Sequence, residues 1–198
     1  PDLVVITGDL ADGTAARLAD EVAPISALRA RRGVYFVTGN HEYFADLDGW
    51  LELLPSLGVR VLMNERVAID GASGAGIDLI GVPDPTARRF SHGPAPDLDA
   101  ALAGRDPRRP AILLAHQPRE FDAAAARGIA LTIAGHTHGG QIWPFGVFVE
   151  RTTKYLAGLY RQGAAQLYVS RGTGVWGPPM RLFAPAEITR LVLTAARE

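Results

Sequence analysis

The chain predicts an α/β layered fold, on three observations. Apolar, β-branched runs alternate with stretches of helical periodicity, the later half is richer in strand-like runs, and four separate strands hand over at their carboxyl ends to aspartate, asparagine or histidine. Leu3 to Thr7 is a continuous β-branched run, the mark of a strand buried on both faces, and it ends at Gly8 and Asp9. Ala15 to Ala30 places Leu18, Val22, Ile25 and Leu28 at helical spacing, with Gly33 as a stop and Pro24 kinking or dividing the helix. Val34 to Thr38 is the next strand and runs into GNHE. Leu47 to Leu54 reads as a short helix stopped by Pro55, Val59 to Ile69 as short strands around a turn at Asn64, and Ile77 to Val82 as a strand closing on Pro83 and Asp84. A loop rich in proline and arginine and a short helix near Leu98 to Leu102 precede Ala111 to Ala115, a buried strand ending at His116. Leu131 to Ala134 repeats that pattern and ends in GHTHGGQ, and late strands at Gln166 to Ser170 and Ile188 to Thr194 finish the chain. The strand-rich second half predicts a mixed second sheet packed on the first. Ligands bind at the carboxyl edge of such sheets, which is where the polar clusters fall.

With 198 residues, no internal repeat and no linker, residues 1–198 are expected to form a single domain. A formal net charge of -1 gives no basic face for nucleic acid, so no nucleic-acid partner is expected. The short clusters at Arg29, Arg31 and Arg32 and at Arg105, Arg108 and Arg109 fit solvated loops. The absence of cysteine excludes disulfides, thiolate metal sites and cysteine nucleophiles, so any metal must bind through nitrogen and oxygen. No apolar run reaches membrane-span length and the start is not signal-like. Because Pro1 enters directly into a strand, natural sequence upstream of it is expected, and any anchor or signal would lie there.

Four of the five histidines fall in the strand-end motifs, and His92 alone sits in a loop. Imidazole, carboxylate and one amide suit a divalent metal such as manganese, iron or zinc. The ordered series GDLAD, GNHE, a lone strand-end His116 and GHTH resembles the calcineurin-like metallophosphoesterase family across almost the whole chain. The longer string GHTHGGQI, with GLY at 158–160 and YVSRGTG, resembles a bacterial subgroup of phosphodiesterases that are often exported or membrane-anchored. The resemblance implies a four-layer α-β-β-α sandwich of two mixed sheets, here without its first strand.

It further implies that Asp9 bridges two divalent ions, manganese foremost and iron or zinc as alternatives. Asn40, His116 and His136 would complete one ion and His138 would serve the other. Two ions sharing a carboxylate and a water lower that water's pKa for in-line attack on phosphorus and neutralise the phosphate oxygens. His41, beside Asn40 but outside the metal shell, would protonate the leaving group, with Asp12 paired to its ring; a cap on the helix near Ala15 is the structural alternative for Asp12. The family's first motif, Asp-x-His before GDxxD, has no place in the eight residues preceding Asp9. The expectation is therefore an N-terminally truncated domain, poorly active as it stands, whose second ion draws on residues upstream.

On the substrate side, Asn40 and Gln141 are expected to contact the phosphoester, while Gly139 and Gly140 let the backbone pass close to the ions. Asp84, between two prolines, reads as a rigid turn. The apolar run Ile142 to Val149 and the turn Val175 to Met180 fit either a strand and loop buried in the second sheet or a rim that rests on a bilayer. The implied function is hydrolysis of a small-molecule or lipid-linked phosphodiester, in a membrane-associated or exported protein. A lipid-precursor pyrophosphatase of the UDP-diacylglucosamine type and a catalytically incomplete metal- or phosphate-binding domain are the alternatives.

Overall fold

The computed structural model describes residues 1–71, 76–90 and 92–194. The chain runs β1 (Val4–Ile6), α1 (Ala15–Val22), β2 (Val34–Phe36), α2 (Asn40–Ala45), α3 (Leu47–Ser56), β3 (Val59–Val61), β4 (Glu65–Asp70), β5 (Gly76–Gly81), α4 (Ala87–Phe90) and α5 (Leu98–Leu102). It continues with β6 (Ala111–Leu114), α6 (Phe121–Ala126), β7 (Leu131–Ala134), α7 (Phe145–Thr153), β8 (Gly158–Gln162) and β9 (Ala165–Val169). The strands form a three-stranded sheet in the order β1-β2-β3 and a six-stranded sheet in the order β4-β5-β6-β7-β9-β8.

The second sheet is mixed, as expected, because the β4–β5 and β8–β9 hairpins place antiparallel strands on its edges. The first is not: its described strands are parallel throughout, since helical crossovers carry β1 to β2 and β2 to β3.

Side chains alternate across each strand, and that alternation builds four layers. Val34 and Phe36 of β2 turn to the helical layer and pack with Leu54 of α3, while Tyr35 and Val37 turn the other way and meet Leu79, Ile112 and Leu114 of the second sheet. The far face of that sheet, Ile80, Leu113 and Ala115, is covered by Ala101 of α5 and Ala124 of α6. The result is the expected α-β-β-α sandwich. β1 lies at the edge of its sheet and is half-buried throughout, whereas β2 is fully buried.

Pro24 does divide the first helix: α1 ends at Val22 and a 3-10 turn takes over at Ala23–Ala27. Pro55 does not stop α3 but sits inside its last turn. The strand expected at Ile188 to Thr194 is not formed, because the segment has no ladder partner among the described residues. Conversely, β8 and α7 stand where no such elements were expected.

Candidate metal centre

β1, β2, β5, β6 and β7 run parallel within their sheets, and their carboxyl ends deliver Asp9, Asn40, Asp84, His116 and His136 to one edge of the sandwich. The two sheets meet there: His116 Nδ1 donates to the carbonyl of Thr7 at 2.6 Å. That bond turns Nε2 of the buried ring toward the other ligands.

The loops after β1 and β2 cross without room for a side chain. A Cβ on Gly8 would run into the Gly39 backbone, and one on Gly39 into the carboxylate of Asp9. Glu42, in the first turn of α2, fastens the crossing. Its carboxylate accepts from the N–H groups of Gly39 at 2.6 Å, Leu10 at 2.8 Å and Asp9 at 3.0 Å. Burial, and then the charge of Asp9, hold the Glu42 carboxyl above the usual range, although its three N–H donors pull the other way.

Four donor atoms converge on a point. Asp9 Oδ2, His136 Nδ1 and Asn40 Oδ1 lie 2.9, 3.0 and 3.1 Å from His116 Nε2. One imidazole nitrogen carries a single proton or a single lone pair and can satisfy only one of these three neighbours. A cation would satisfy all four. Asp9, His116 and His136 are the group that could hold a metal among the described residues, and Asn40 adds a carboxamide oxygen. Asp9, His136 and His138 all adopt positive φ, at 53°, 71° and 53°. Such conformations cost about 1–3 kcal/mol each and persist where surrounding contacts dictate them, commonly at functional sites.

The electrostatics follow from this crowding. Burial disfavours ionisation of Asp9, but its bond to His116, the charge of that ring and the His41 N–H hold it down at about 2. Burial likewise opposes protonation of His116, yet Asp9, with help from Asp84, pushes it up to about 9. Burial and the neighbouring His116 charge keep His136 down at about 3. Asp9 and His116 form an ion pair, and a cation held here would replace the imidazolium proton.

His41 and Asp12 meet beside this cluster, with Nδ1 of the ring 3.1 Å from the carboxylate. The capping alternative for Asp12 is not seen. Thr14 occupies the N-cap of α1 without a side-chain bond, and the Ala15 N–H is taken by Asp46 at 3.1 Å. His138 sits apart from the four converging ligands, and no second group of three donors includes it among the described residues. Its carbonyl accepts from Arg181 at 3.0 Å and its Nδ1 faces the same guanidinium at 3.4 Å, while burial and then that charge hold its pKa down.

Gln141, expected to contact substrate, is bonded to the turn that follows Val175. Its buried amide donates to the carbonyls of Trp176 at 2.7 Å and Pro178 at 3.2 Å and accepts from the Trp176 N–H at 2.7 Å, so its bonding capacity goes into the 176–178 turn. Asp84 is more than a turn: it is fully buried and accepts from Gln117 at 2.9 Å and from the Thr86 N–H at 2.8 Å. His92 pairs at the surface with Asp48 at 3.2 Å. The apolar run after the GHTH motif is not a buried strand. No residue of α7 is buried, and Trp143, Phe145, Phe148 and Trp176 are all largely exposed. Sequence reasoning passed over Glu42 and Arg181; the glutamate of GNHE was a visible signal for the first, and nothing marked the second.

Known proteins resemble this chain in sequence and fold. Residues 1–140 match the family model described as calcineurin-like phosphoesterase. A Bos taurus protein named "Transmembrane protein with metallophosphoesterase domain" is 47% identical over 207 residues, covering 99% of this chain and 46% of that protein. An uncharacterized Helicobacter pylori metallophosphoesterase is 42% identical over 194 residues, covering 97% of this chain and 51% of that protein. The chain thus spans about half the length of these curated relatives. Among solved structures, a Thermus thermophilus sulfate thiohydrolase superposes with a TM-score of 0.54 at 20% identity, covering 84% of this chain and 33% of that one, which speaks for the fold alone. The convergence of Asp9, Asn40, His116 and His136 at one sheet edge, the four-layer sandwich around it and the family match over residues 1–140 lead to one conclusion: this chain belongs to the calcineurin-like phosphoesterase family.

Proposed function

We propose that the chain forms the catalytic part of a divalent-metal phosphodiesterase, a reading carried by the four donor atoms that converge at His116 Nε2. Asp9, Asn40, His116 and His136 would hold one ion. Asp9 and His138 would contribute to a second. When bound, such ions supply an attacking water of lowered pKa and neutralise charge on the phosphate oxygens. The nitrogen and oxygen donor set with a carboxamide suits manganese first, with iron or zinc as alternatives.

The chain's own residues do the rest. His41, its Nδ1 occupied by Asp12, keeps Nε2 available to hand a proton to the departing oxygen. Asn40 sits where its amide can touch a phosphate oxygen as well as an ion. A diester is favoured over a monoester because the dianion needs further positive side chains. Arg171 is already spent on Glu187 at 2.8 Å, and Arg181 on backbone carbonyls. The exposed apolar side chains beside the GHTH turn favour a lipid-linked substrate, including the diphosphate bridge of a lipid precursor, as the second reading. A membrane-associated location draws support from relatives named transmembrane proteins, although no helix among the described residues is long and apolar enough to cross a membrane.

The test uses the full-length protein with bis(p-nitrophenyl) phosphate and p-nitrophenyl phosphate. The diester should be cleaved in preference, with activity lost on chelation and restored by manganese. Manganese at a hundredfold its Kd should also stabilise the fold by about 2.7 kcal/mol, and His116→Ala should lose that gain together with activity. Preference for the monoester, or turnover that survives chelation, would sink the proposal.

A further inference from the structure

We propose that α7 and the turn at residues 175–180 form a docking face for an anionic lipid bilayer. The argument starts from two segments that follow the GHTH motif and return to it. Ile142 pairs with Leu182, and the Trp143 N–H donates to the Leu182 carbonyl at 3.1 Å, so the approach to α7 and the end of the 175–180 turn lie side by side. Both present large apolar side chains to solvent: Trp143, Phe145 and Phe148 on one, Trp176 and Met180 on the other, each close to or above half exposed. Phe145 and Phe148, one helical turn apart, stack with ring centroids 5.6 Å apart. A cavity of about 180 Å³ opens between the segments, walled by Trp143, Val147, Leu156, Leu182 and Phe183.

This face is held in place by polar contacts. Gln141 fixes the turn through Trp176 and Pro178, and Arg181 fixes it through the carbonyls of Gly174, Arg171 and His138. Two exposed tryptophans are thereby carried on backbone tied to the GHTH turn, where burial among their own neighbours would have been the ordinary fate of such residues.

Charge selects the occupant. Residues 141–183 contain five basic side chains and one acidic one, in a chain whose net charge is -1. Lys154 and Arg171 are spent on Asp122 and Glu187, but Arg151, three residues beyond Phe148 on α7, makes no ion pair among the described residues. Aromatic side chains flanked by arginine match the headgroup region of an anionic bilayer. A second copy of the chain would set the same positive excess against itself, which argues against self-association through this face. The docking is independent of the reaction catalysed and would bring the metal centre to lipid-linked esters.

The test is sedimentation of the 198-residue chain with vesicles of phosphatidylcholine alone or mixed with phosphatidylglycerol, paired with tryptophan emission. The chain should partition to the mixed vesicles with a blue shift arising from Trp143 and Trp176, since Trp50 is fully buried and will not respond. Arg151→Glu should weaken partitioning about tenfold. The combined Trp143→Ser, Phe148→Ser and Trp176→Ser variant should abolish it with the fold kept and only a small fall in thermal midpoint, because about half of each side chain is already exposed. Wild-type chain that stays in the supernatant, or binding that survives the triple substitution, overturns the proposal. So does a wild-type chain that self-associates in solution and becomes monomeric in the triple variant, which would make the face a protein interface.

Discussion

His41 Nδ1 lies 3.1 Å from Asp12 Oδ1, while the backbone N–H of the same histidine donates to Asp9 Oδ1 at 2.8 Å. One residue thus ties a ligand of the cluster to the ring that borders it. If the ring is the proton donor, His41→Ala should lower kcat on an alkyl diester roughly 10²–10⁴-fold. A p-nitrophenyl diester, whose leaving group needs no proton, should be spared most of that loss. Asp12→Asn should cost less, about tenfold, because the carboxylate is largely exposed and its pull on the ring is screened. Elemental analysis should find metal content unchanged in both variants. Equal losses on the two leaving groups would remove His41 from the acid role.

Gly39→Ala tests whether the crossing of the two loops sets the position of Asp9. The added Cβ would collide with the Asp9 carboxylate and with its backbone nitrogen, neither of which can swing away as a flexible side-chain end could. Manganese binding, followed by isothermal titration calorimetry, should be lost, with a stability loss of about 1–3 kcal/mol. Gly174→Ala, where a Cβ meets nothing within 4 Å, should leave manganese binding as it was. Wild-type affinity in Gly39→Ala would show that Asp9 is not held by this contact.

The convergence of these donors was legible because their residue types recur at the carboxyl ends of apolar strands, and chemistry and periodicity there point the same way. Asn40, His116 and His136 needed no more than that. The run Ile142 to Val149 was not legible in the same way, since a short apolar stretch suits a buried strand or an exposed helix equally and periodicity alone does not separate them. Ile188 to Thr194 has strand-like composition, but a strand exists only with a ladder partner, which it lacks among the described residues. Glu42 and Arg181 escaped for a different reason. Their partners are mainly backbone groups, the N–H groups of Gly39, Leu10 and Asp9 for one and carbonyls including that of His138 for the other, and the side chains of those partners give no hint of the contact.

Gln141 separates a substrate contact from a structural latch. Its side chain is buried and makes three hydrogen bonds to the backbone of Trp176 and Pro178. Gln141→Leu keeps the side chain's bulk and leaves the N–H and carbonyl of Trp176 without partners, the Pro178 carbonyl keeping its bond from the Met180 N–H, at a cost of about 1–3 kcal/mol if they stay dry. Opening the turn to water relieves that cost, so the loss should appear as local loosening. Amide hydrogen exchange should accelerate across 172–182 and protease should cut there first, while manganese still binds to the four converging ligands. Partition to anionic vesicles should weaken too, because Trp176 would no longer be held by Gln141. If the variant instead raises KM and leaves exchange in the turn unchanged, Gln141 acts on substrate and the turn is held by Arg181 alone.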